Sequence, residues 1–66
     1  MKIDPKVLPQ LNNVKNRIKI AYASNVSEQA VKAAILNNSS VLTKHDALNA
    51  IKEITGLNET ELLIAD

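Results

Sequence analysis

The chain has no cysteine, no tryptophan and no phenylalanine; Tyr22 is its one aromatic residue and Gly56 its one glycine. Without cysteine there is no disulfide to staple the fold and no thiolate to hold a metal. Without large aromatic rings, stability has to come from close packing of the aliphatic side chains within a 45% hydrophobic composition. No apolar run approaches the roughly 20 residues that cross a bilayer. The opening stretch MKIDPKVLPQL carries no signal-peptide core, so a cytoplasmic location and no membrane partner are expected. The sequence also lacks a Gly-rich phosphate loop and a second histidine at metal spacing. Catalysis, metal binding and cofactor binding are therefore not expected. His45 beside Asp46 reads as the first turn of a helix rather than an acid–base couple.

What is present is a short chain with its charge divided unevenly. At 66 residues, one domain over 1–66 is expected, near the size below which a core cannot sustain itself. A domain that small gains from dimerisation. The net charge is only +1, yet residues 1–35 hold six cations against two anions and residues 36–66 hold two cations against five anions. A basic half joined to an acidic half suggests one face for a polyanion and another kept away from it.

The chain reads as helices throughout, since no segment sustains a period of two. Asp4-Pro5 begins a first helical segment, but Pro9 removes a backbone donor. An irregular turn over residues 5–8 is expected, with regular helix after Pro9. Asn12-Asn13 marks a break or a cap. Val14, Ile18 and Ala21 then fall on one side of a second helix and predict its buried face. It should stop near Ser24-Asn25, because asparagine tolerates the left-handed conformation that ends helices. Ser27 caps the next helix, with Glu28 suited to its dipole and Val31, Ala34 and Ile35 on its apolar side. The polar run NNSS at 37–40 ends it. Thr43 with Asp46 has the form of a capping box ahead of a helix striped by Ala47, Leu48, Ile51 and Ile54 and stopped by Gly56. Asn58 with Glu61 is a second box, opening a last helix through Leu62, Leu63 and Ile64. Tyr22 reads as a core-edge residue with its hydroxyl in water, the alternative being a phosphate contact. The triplets NVS, NSS and NET match the glycosylation pattern by chance in a chain without a secretion signal.

The stretch from Arg17 to Leu36 resembles the helix-turn-helix of phage Cro and repressor proteins. Ala21 stands where that family keeps a small residue in the first helix, and Asn25 stands where it usually has glycine. Val26, a Ser27 cap and Val31 follow in the family's order. The run ALNAIKEITGLNETELL at 47–63 is similar to the family's closing helices. The resemblance implies an all-α fold, a compact lambda-repressor-like bundle of four or five short helices. The motif would span about 17–36 and the closing helices about 44–64. It also implies a sequence-specific transcriptional regulator that binds double-stranded DNA as a homodimer on a near-palindromic site. Such a regulator would act by occupancy, without a small-molecule ligand.

Carried over by position, the base contacts would be Ser27, Glu28, Gln29, Lys32 and Ala33, with Ala30 able to replace Ala33 against a thymine methyl. The phosphate contacts would be Arg17, Asn38, Ser39 and Ser40. Leu57, Leu62, Leu63 and Ile64 would form the dimer interface, held off DNA by acidic surroundings. Each position also has a purely structural reading: Glu28 complements a helix terminus, Gln29 is solvated, and Asn38, Ser39 and Ser40 cap or form a polar loop. The alternative function is a helix-turn-helix-shaped protein–protein module, or an antitoxin- or excisionase-like architectural DNA binder.

Overall fold

A computed structural model describes residues 2–65. A short strand β1 (Lys2–Ile3) is followed by α1 (Leu8–Leu11), α2 (Val14–Ser24), α3 (Glu28–Asn37), a 3-10 turn (Ser40–Thr43), α4 (His45–Thr55), α5 (Glu59–Leu62) and β2 (Leu63–Ile64). The protein is a small all-α bundle with one minimal antiparallel ladder, in which Lys2 pairs with Ile64 and Ile3 with Leu63.

Helix ends follow local capping chemistry. Asn13 accepts a bond from the Asn16 amide and starts α2; Ser27 accepts from the Ala30 amide and starts α3. Both helices end on an asparagine in the left-handed region, Asn25 at φ 56° and Asn38 at φ 47°. After α2, the Val26 amide reaches back to the Ala21 carbonyl at 3.1 Å; after α3, the Ser39 amide reaches the Ala34 carbonyl at 2.8 Å. These bonds close carbonyls that the helix would otherwise leave open. Gly56 at φ 71° does the same for α4, and the Asn58–Glu61 capping box is fully formed at α5.

Six side chains are essentially inaccessible to water: Ile3, Leu11, Ile20, Leu42, Ile51 and Leu62. They come from β1, α1, α2, the 3-10 turn, α4 and α5, while α3 adds Val31, Ala34 and Ile35. Every element thus meets at one centre, and burying each large aliphatic side chain contributes about 1.5–3 kcal/mol.

Four expectations are corrected. Regular helix begins at Leu8, with Pro9 inside its first turn, where a missing donor costs nothing. The Thr43–Asp46 box does not form: the Thr43 hydroxyl donates to the Ser40 carbonyl at 2.7 Å, and α4 starts from Lys44 with no side-chain cap. The last helix stops at Leu62, because Leu63 and Ile64 turn into the ladder with β1. Finally, Val14 and Ile18 are 57% and 52% exposed, and Tyr22 is 91% exposed. The inner side of α2 carries Ile20 and Ala21 with the largely covered Arg17. Two stripes compete on this helix, and the one containing Ile20 fills the core.

Candidate nucleic-acid interface

The site grows out of the corner between α2 and α3. Three residues, Asn25 to Ser27, connect these helices. The left-handed Asn25 redirects the backbone at once, and the Ser27 cap begins the next helix in an extended conformation. Ala21 and Val31 are both buried in the shared core, as close packing at such a corner demands. With Val31, Ala34 and Ile35 turned inward, helical geometry leaves Gln29, Lys32, Ala33 and Leu36 on the opposite side, all exposed. This outer face is continuous over two turns of α3.

The expected base contacts divide into two groups. Gln29, Lys32 and Ala33 share the exposed face. Ser27 sits at its leading end, where its hydroxyl oxygen accepts from the Ala30 amide at 3.1 Å and the hydroxyl proton remains able to donate. Glu28 is engaged elsewhere: its carboxylate accepts a 2.8 Å bond from Arg17 Nε. The Arg17 side chain is only 12% exposed and also donates from Nη1 to the Asn12 side-chain oxygen at 2.8 Å. Two residues expected to meet different parts of DNA instead neutralise each other and tie the start of α2 to the start of α3.

Two further expected phosphate contacts, Asn38 and Ser39, are likewise redirected. The Asn38 amide donates to the Ile3 carbonyl at 2.9 Å, and its side-chain oxygen is buried without a partner. The side chain faces the molecule's own first strand, so it is not presented to a phosphate. Ser39 is half-buried and caps the 3-10 turn by accepting from the Val41 amide at 3.2 Å. Ser40 is exposed.

The expected dimer surface is corrected most clearly. Leu62 is wholly inside the core, and Leu57 and Leu63 pack against it. Ile64 is half-buried in the strand pair. Leu57, Leu62 and Leu63 complete one copy's own centre, because the ladder folds the end of the described chain back onto its beginning.

Leu36, at 68% exposed, extends the outer face of α3 and was absent from the expected contacts. Its spacing of seven from Gln29 is the signal that places it there. His45 is exposed, with Nε2 at 3.3 Å from the Asn49 amide nitrogen. Among the described residues no group of three His, Cys, Asp or Glu side chains is arranged to hold a metal ion, and no helix is long and apolar enough to cross a membrane. Elsewhere, Lys52 of α4 donates to Glu59 of α5 at 2.8 Å. That hydrogen bond, with the lysine's charge, holds the Glu59 carboxyl below the usual carboxylate range.

Comparison with known proteins returns no matching family, no matching curated protein and no matching solved structure.

Proposed function

We propose that this chain is a sequence-specific regulator of the Cro/repressor kind, which reads double-stranded DNA with α3 and acts by occupying its site. The observation that carries this reading is the uncovered face of Gln29, Lys32, Ala33 and Leu36 immediately after a three-residue turn. The major groove is wide enough to admit an α-helix, and this face offers what its floor can recognise. The Gln29 amide has a donor and an acceptor for adenine, Ala33 and Leu36 suit a thymine methyl, and Lys32 suits a guanine edge or a phosphate. Lys15, which is exposed, adds diffuse salt-sensitive attraction. The reading includes a cytoplasmic location, no catalysis, no small-molecule ligand, and a homodimer on a near-palindromic site.

Selection from randomised duplexes tests it. The expected result is a two-fold-symmetric preferred sequence whose affinity falls steeply with salt. Gln29→Ala should lower discrimination at one position by about 1–3 kcal/mol. Absence of binding to selected and random duplexes, even at low salt, refutes the proposal. The Arg17–Glu28 pair and the exposed Leu36 favour a second reading, in which the same face binds a protein. That reading predicts no DNA affinity and a partner interaction abolished by Leu36→Asp.

A further inference from the structure

The side of α2 turned away from the core repeats an apolar residue every four positions, Val14, Ile18 and Tyr22, all strongly exposed. At that spacing they form a single stripe. Beside it runs a shallow groove whose second wall is α4, with Ala50 and Ile54 as its apolar floor. Single exposed aliphatic residues are ordinary, but a contiguous stripe opening into an apolar groove marks a surface that something covers.

Charge identifies the occupant. Lys19 stands on the α2 edge of this groove, while Asp46 and Glu53 stand on the α4 edge. Lys19 makes no ion pair with either. A surface basic along one edge and acidic along the other is complementary to itself under one particular rotation. We propose that a second copy of this chain docks here, related by a two-fold axis parallel to the groove. That axis lays α2 of each copy over α4 of the other. Ser24, at the end of α2, shares a small cleft with Asp46 and Ala47 at the start of α4, so the two helices run in opposite directions. Lys19, in the middle of α2, therefore lies level with the middle of α4 and reaches the acidic edge of the second copy. The other two-fold choice, with the axis across the groove, would stack α2 on α2 and set Lys15 and Lys19 against their own copies. Like charges reject that arrangement.

The molecule measures 26 × 22 × 20 Å. A standard interface of about 800 Å² per partner is about a fifth of its 4170 Å² surface, or one whole face. The groove is lined from α2 and α4 alone, and none of Gln29, Lys32, Ala33 and Leu36 is among its walls. Self-association of this kind needs no nucleic acid, and its failure would leave DNA reading by a single copy to be judged separately.

Sedimentation equilibrium of the full chain without DNA, from micromolar to millimolar concentration, tests the proposal. A monomer–dimer equilibrium is expected. Ile18→Glu combined with Tyr22→Glu should leave a monomer at every concentration, with an unchanged helical circular dichroism signal. Lys19→Glu and Glu53→Lys should each weaken the dimer by about tenfold, the scale of one interfacial charge pair, and the double swap should recover most of the loss. A wild-type chain that stays monomeric, or a dimer indifferent to the Ile18 and Tyr22 changes, overturns the proposal. A dimer sensitive to those changes but not to the charge swaps overturns the axis assigned here.

Discussion

Three asparagines that match a glycosylation pattern, Asn25, Asn38 and Asn58, all sit at helix ends. Two of them adopt the left-handed conformation and the third is the acceptor of a capping box. Asn25 and Asn38 share a backbone role but differ in what the side chain does. At Asn25 the need is for a positive φ alone, which glycine meets without steric cost. At Asn38 the amide also satisfies the Ile3 carbonyl. Asn25→Gly should therefore leave stability nearly unchanged. Asn38→Gly should cost about 1–3 kcal/mol, because the strand carbonyl loses its donor. Urea denaturation midpoints of the two variants, compared side by side, check the difference.

At the scale of elements, two ion pairs hold helices together in different surroundings. The Arg17–Glu28 pair joins α2 to α3 with the arginine mostly covered. Glu28→Gln should destabilise the fold by about 1 kcal/mol or less, because the amide oxygen can still accept from Arg17 while the half-exposed charge pairing is lost. The same substitution should leave sequence preference on DNA unchanged, since Glu28 is a tie between helices. Equilibrium unfolding and duplex selection on one variant measure both outcomes. The Lys52–Glu59 pair joins α4 to α5 at the surface. Its folded carboxyl titrates below the unfolded one, so its contribution is fully present above the unfolded pKa and is lost as pH falls through the folded pKa. Glu59→Gln should flatten that acid limb of a stability–pH profile, and added salt should do the same to the wild type, because exposed pairs are screened.

For the whole molecule, the decisive feature is that every one of the described elements contributes to one small centre. Leu62 belongs to that centre although it lies only a few residues from the end of the described chain. Leu62→Ala should cost about 2–5 kcal/mol. That loss is comparable to the roughly 3–5 kcal/mol that a core of this size supplies. The variant should accordingly be largely unfolded at room temperature by circular dichroism. Ile18→Ala, an equally aliphatic change on the exposed side of α2, should leave the melting temperature of the monomer nearly unchanged.

The two helices that form the corner, their caps and their stops were legible in the amino-acid sequence, as were the inner face of α3 and the capping box at Asn58. All of these depend on bonds between residues a few positions apart, so the local order of side chains determines them. The sequence by itself did not determine which side of α2 turns inward, since Val14 and Ile18 offer apolar bulk on one side and Ile20 on another, with Ala21 between them. Nor did it reveal that Arg17 would meet Glu28, that Asn38 would reach Ile3, or that Lys2 would pair with Ile64. Those contacts join parts of the chain far apart in order, and only the shared core brings them within bonding distance. For the same reason the exposed surfaces, α3 outward and the α2–α4 groove, were decided by what the core did not need.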